Sequence, residues 1–240
     1  MFNFKKTIYI TKKELRSFFY SPVAYIFICI FLVALGWLFF SKFFLYNQLE
    51  MRDFFNILPI VLAFVIPSIT MGLFAEEFSS GSYEVISTTS VSTLDIVIGK
   101  FFAAILFMLI ALLPTIMYPL FLIFLGDLDL GPIAGGYIGS IFLISALVSI
   151  GMFASSLSKS QIVSFIIALS ISVTLCLLLG LMKSITPPFL VDLIDYFSFS
   201  GRFGNIAKGI LDLRDISYFI AISVVFLFLT YQNLELRKIG

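Results

Sequence analysis

The sequence predicts an all-α, polytopic membrane protein: six transmembrane helices, an amphipathic helix before the first, and a short polar helix between the second and third. Three observations carry that reading. Sixty per cent of the 240 residues are hydrophobic and 12% are charged, whereas soluble domains run at about 45–50% and about 25%. Mean hydropathy is +1.11, and the apolar residues gather into runs close to the about 20 residues that cross a bilayer. Every Asp, Glu, Lys and Arg falls at the end of a run or in a loop, which avoids the cost of charge at membrane depth. The chain reads as one transmembrane domain over 1–240.

Residues 3–20 fit a helix lying along the membrane surface. On a helical wheel Phe4, Ile8, Leu15 and Phe19 share one face, Lys6 and Lys13 oppose it, and Lys5, Lys12 and Arg16 flank it. Such cations reach toward anionic headgroups while the apolar face enters the interface. Ser21-Pro22 turns the chain into the bilayer. The run that follows is too long for a signal peptide and lacks a small-residue cleavage site.

The spans read as 22–40, 54–74, 101–125, 131–157, 162–182 and 216–231. Pro59 and Pro67 in the second free carbonyls toward a cavity, and Pro114 and Pro119 kink or tilt the third. In the fourth, Gly135 and Gly139 make a small-xxx-small spacing for close packing. The sixth is short, so its flanks, or the segment before it, enter the interface. Cys29 and Cys176 lie inside spans and read as packing residues. With the N-terminus inside, nine Lys and Arg fall on the inner side and six on the outer, so both termini are placed in the cytoplasm.

The missing residue types exclude whole classes of chemistry. The chain has no histidine, so a Ser-His dyad and an H-E-x-x-H zinc site are ruled out. No span carries an ionisable residue near its centre, which disfavours an ion-coupled secondary carrier. No G-x-x-x-x-G-K-[ST] phosphate loop is present; if nucleotide powers the protein, another subunit binds it. A net charge of +1 gives no electrostatic case for nucleic acid.

The most informative stretch is 75–100, AEEFSSGSYEVISTTSVSTLDIVIGK. Glu76-Glu77 closes the second span with no cationic partner in reach by sequence and reads as an interfacial helix terminus. Gly81 breaks the helix, and Ser82 offers an N-cap with Glu84 nearby. Tyr83 and Ile86, three apart, give a two-turn helix one apolar patch, and Thr88-Thr89-Ser90 stops it. A second turn sets Leu94, Val97 and Ile98 inward and Asp95 outward, and Gly99-Lys100 starts the third span. Two helical turns are not stable alone; the element needs a surface to rest on.

The order Glu76, Glu77, Gly81, Ser82, Glu84, Thr88–Ser92, Gly99, Lys100 resembles the second-to-third-span loop of type-2 ABC exporter permeases. KKELRSFFYSPVAYIF resembles the interfacial helix and first span of that family, and LDLRDISYFIAISVVFLFLTYQNLE the last span of its gliding-motility-associated branch. The likeness covers essentially the whole chain; relatives often carry proline where Ser90 stands. It implies that Ser82–Thr89 is a coupling helix docking on a separate ATPase, with Glu84 bonding the ATPase and Tyr83 and Ile86 filling its groove. It implies two ATPase copies holding ATP and Mg, a second permease chain, and commonly an accessory membrane protein with a large extracytoplasmic domain. The place implied is the bacterial inner membrane. A route bordered by the second and fifth spans, lined by Leu, Ile, Phe, Ser and Thr, suits lipid-like cargo, although a closed gate would look the same.

Residues 183–215 are expected outside. Two small helices, one with Phe189, Leu193 and Phe197 on one side and one over IAKGILDLRD, re-enter or lie on the outer leaflet, resembling the outer gate of these exporters. A non-transporting membrane scaffold is the rival reading, and a secondary carrier the weaker one.

Overall fold

Apolar runs without central charge close their backbone hydrogen bonds within helices, the economical solution in lipid. In the computed structural model, which describes residues 4–46, 51–87, 91–125, 129–182, 196–210 and 212–239, no strand occurs among the described residues. Six helices are long and apolar enough to cross a membrane: Pro22–Ser41, Arg52–Ser79, Thr93–Ile123, Leu130–Leu157, Gln161–Met182 and Leu213–Lys238. They alternate in direction, so α1, residues 80–87, the turn at 158–160 and the C-terminus share one end. That end is called the termini end below.

α1 (Phe4–Tyr20) and α2 (Pro22–Tyr46) meet at Ser21, whose N–H donates to Phe18 O (3.2 Å). The second span breaks at Met71 into α3 (Arg52–Thr70) and α4 (Gly72–Ser79). Ser155 repairs the break. Its hydroxyl donates to Met71 O (2.7 Å) and accepts from Phe74 N (3.0 Å) and Ala75 N (3.1 Å), which ties the fourth span to the backbone at the break. α5 (Ser82–Ser87) follows Gly81, which has φ +71°. α6 (Thr93–Leu112) passes through a 3-10 turn at Leu113–Ile116 into α7 (Met117–Ile123), with Pro114 inside the turn, where the expected kink falls.

α8 (Leu130–Leu157) is the most enclosed span and touches α3, α6, α9 and the last helix. α9 (Gln161–Val173) runs through a π turn at Thr174–Leu178 into α10 (Leu179–Met182); α11 is Phe199–Ile206 and α12 is Leu213–Ile239. Phenylalanine fills the interior: Phe31, Phe39, Phe54, Phe55, Phe74, Phe107, Phe199, Phe203 and Phe219 are fully buried. In lipid such packing stabilises through dispersion contacts rather than removal from water.

Several expectations need correction. The third span starts at Thr93, so Gly99-Lys100 lies about two turns inside α6 instead of opening it. Within that turn Asp95 is buried and Leu94 is exposed, the reverse of the expected facing. The sixth span is 26 residues long, not short. At the end opposite the termini, the helix falls on Phe199–Ile206 and includes Gly201 and Gly204, while the following stretch turns at Gly209 with φ +85°. The helix expected around Phe189 and Leu193 lies outside the described residues. Gly135 and Gly139 do pack closely, but against α11. A Cβ on Gly135 would stand 2.5 Å from Ile206 O, and one on Gly139 2.8 Å from Ile206 Cγ2.

Candidate functional site

At the termini end, three elements converge on one ammonium. Lys100 of α6 is buried, and its Nζ donates to Glu77 Oε1 of α4 (2.8 Å) and to Leu73 O (2.9 Å). Glu14 of α1 completes the ion cluster at 3.5 Å, and the Phe74 ring lies 5.3 Å from the ammonium. A lone lysine here would carry a large desolvation cost; two carboxylates, a carbonyl and an aromatic face offset it. Glu77 therefore has a cationic partner after all, supplied from 23 residues along the chain. Sequence spacing could not show this pairing, because it depends on α4 and α6 lying side by side.

α1 reaches α6 through a face that the apolar pattern did not mark. Thr7 is buried and its hydroxyl donates to Asp95 Oδ1 (3.1 Å); Thr11 donates to Gly99 O (3.1 Å) and Thr7 O (3.0 Å). Gly99 is the point of close approach, since a Cβ there would lie 2.7 Å from Ile10 Cγ2. Phe18 stacks on Phe107 at 5.0 Å. Of the expected interfacial set, Phe4, Ile8, Lys12, Lys13 and Arg16 are exposed, while Leu15 and Phe19 pack partly against the core. The missed signal was legible: Thr7, Ile10, Thr11, Glu14 and Phe18 recur at helical spacing.

α6 opens with a capping box. Ser92 Oγ accepts from Asp95 N (3.2 Å), while Asp95 Oδ2 accepts from Ser92 Oγ (2.7 Å) and Ser92 N (3.4 Å). The end of α12 closes around the same region. Asn233 donates to Ser156 O (2.7 Å) and Arg237 to Leu157 O (2.9 Å), which satisfies carbonyls at the end of α8. Arg237 also lies over Phe78 at 4.3 Å, Lys238 donates to Thr93 Oγ1 (2.6 Å), and the Thr93 hydroxyl donates to Glu235.

α5 hangs from this framework. Gly81 adopts the left-handed conformation that favours glycine. Ser82 is the first residue of the helix, with its hydroxyl 2.9 Å from that of Ser80, and Glu84 N donates to Gly81 O (3.2 Å). Glu76 and Glu84 are exposed. Tyr83 does not face outward as expected: it is buried edge-on against Phe78 at 5.0 Å. Burial, with the Glu235 and Glu77 carboxylates adding and Arg237 opposing, pushes its phenol up to about 12. The Ile86 side chain and the Thr88–Ser90 stop lie outside the described residues.

Beneath α1 runs a cleft of about 550 Å³, polar at Lys13, Glu14 and Glu76 and apolar at Phe18, Phe27 and Phe107. The arrangement has the form of a lever: a short helix on a glycine hinge, joined through α4 and Lys100 to two spans and to α1. No family model matches the chain, and no curated protein matches it significantly in sequence.

Proposed function

We propose that this chain is the permease subunit of an ATP-driven ABC exporter, working with a second permease chain and two copies of a separate ATPase that hold ATP and Mg. It is not itself an enzyme in this reading. Its place is the bacterial inner membrane with both termini in the cytoplasm, favoured by the nine-to-six split of basic residues across the spans.

The observation that carries the reading is the mounting of α5. A helix of six residues is too short to persist alone, yet it sits between two spans that Lys100 ties together. Force applied to α5 from outside the chain passes along α4 and α6 at once. With Tyr83 turned inward, Glu84 is the charged side chain that α5 exposes to a partner. The type-2 family likeness assigns the same segment to the ATPase contact.

The test is co-purification. The wild-type chain expressed with its cognate ATPase is expected to retain it through detergent extraction, and Glu84→Arg is expected to reduce retention and permease-stimulated ATP turnover. Full retention and turnover in that variant would remove α5 from the coupling role, and failure of any ATPase to bind wild type would overturn the permease reading.

A further inference from the structure

The end of the bundle opposite the termini carries a polar hollow of about 640 Å³. Arg52 and Asn56 of α3, Arg202 and Asn205 of α11, Lys208 just beyond, and Asp215 at the head of α12 line it. One of its cations is rigidly held. Arg202 Nε donates to Tyr196 O (2.9 Å), NH1 donates to Asp215 Oδ1 (2.8 Å), and the guanidinium lies 4.4 Å from the centroids of both the Tyr196 and Tyr218 rings. Its side chain is 12% exposed and that of Asp215 is 9%. Asn205 Nδ2, 3.5 Å from Asp215 Oδ2, donates to the carboxylate's other oxygen.

The charge of the hollow does not balance. Three cations line it against one carboxylate, and that carboxylate is engaged by Arg202. The side chains of Arg52 and Lys208 have no hydrogen bond or ion pair among the described residues. A concave surface carrying one excess sign focuses its potential and draws the opposite charge. Depth selects the anion. Arg52 opens the second span and Asp215 lies at the start of the sixth, so the hollow stands where hydrocarbon gives way to headgroups. Phosphate is the anion of that layer, and guanidinium and ammonium groups are its ordinary protein ligands.

We propose that this hollow binds a phosphate group, with Arg52 and Lys208 as direct ligands and Arg202, fixed by Asp215 and the two tyrosines, as the charged wall behind them. The phosphate comes either from a phospholipid headgroup or from a water-soluble phosphate ester; the recognition chemistry is the same. The site makes no use of the ATPase partner, so it stands or falls separately from the transport reading.

The experiment uses the full chain, purified without phosphate. One arm titrates glycerol 3-phosphate by calorimetry. The other counts phosphatidylglycerol molecules retained in native mass spectra after assembly in discs of galactolipid doped with it. The Arg52→Ala, Lys208→Ala double variant removes two exposed side chains that hold nothing in the fold, so its melting is expected to match wild type. Its binding is expected to fall at least about tenfold, the effect of losing charge-assisted contacts. Loss in the lipid arm alone identifies the headgroup as ligand; loss in the soluble arm alone identifies the ester. Wild-type binding that the double variant retains in both arms would overturn the site, as would failure of wild type to bind either probe. Equal displacement of either probe by acetate would overturn its selectivity for phosphate.

Discussion

Lys100 shows how much a single buried charge can organise. Its ammonium joins α1, α4 and α6 through Glu14, Glu77 and the Leu73 carbonyl. Lys100→Met would leave two mostly buried carboxylates facing each other without their counter-ion. Removal of one partner from a buried ion cluster costs about 3–5 kcal/mol, so a clear fall in the detergent melting temperature is expected. Adding Glu14→Gln and Glu77→Gln is expected to restore most of the loss. If the single variant melts like wild type, the cluster is not structural. Tyr83 gives a second test. Its hydroxyl has no hydrogen-bond partner among the described residues, so Tyr83→Phe keeps the contact with Phe78 and is expected to change stability by less than about 1 kcal/mol. The phenol that this variant removes is expected to titrate near 12 in a difference spectrum against wild type. The sign follows from a folded value raised above the ordinary 10.0: stability from the neutral phenol is fully present below the unfolded value and lost as pH rises through the folded one. A phenol titrating at 10 would contradict the buried placement.

Among elements, α1 and α6 explain why some of the fold was readable in the sequence and some was not. The six spans were legible because length, hydropathy and the exclusion of charge all point the same way in lipid. The contact face of α1 was legible only in the spacing of Thr7, Ile10, Thr11, Glu14 and Phe18, because the apolar stripe with Phe4 and Ile8 marks the side expected to enter the bilayer interface instead. In a membrane protein large apolar side chains can face lipid, while helices approach one another through small and weakly polar residues. Phe4 and Ile8 are accordingly exposed, and Thr7, Thr11 and Gly99 make the joint. The same logic hid Asp95, which reads as an outward charge but serves as cap and acceptor inside the joint. Loop 75–100 was legible as a hinge at Gly81 and a short helix after it, because glycine and serine mark such positions locally. The pairing of Glu77 with Lys100, and the inward turn of Tyr83, depend on neighbours that only the fold supplies. Gly99→Leu is expected to separate α1 from α6, since the Cβ alone already stands 2.7 Å from Ile10. Faster backbone hydrogen exchange throughout α1, with α8 unchanged, would be the readout; unchanged exchange in α1 would contradict the close joint.

At the scale of the whole molecule the two ends differ in kind. The termini end gathers the charges into a connected framework with a hinged helix at its edge, and the opposite end sets an unbalanced basic hollow near the ends of the second and sixth spans. Between them, the first, fifth and sixth spans show broad apolar faces, with only 22% of an 18-residue apolar stretch in each buried within the chain. Such faces suit lipid or a second copy of this chain. In the proposed reading, α5 is where a partner ATPase grips this framework. A photoreactive side chain placed at Glu84, in cells that also make the cognate ATPase, tests it most directly, with Phe124 at the far end of the bundle as control. The account predicts a covalent adduct with the ATPase from position 84 and none from position 124. An adduct confined to position 124, or none from position 84, would contradict it.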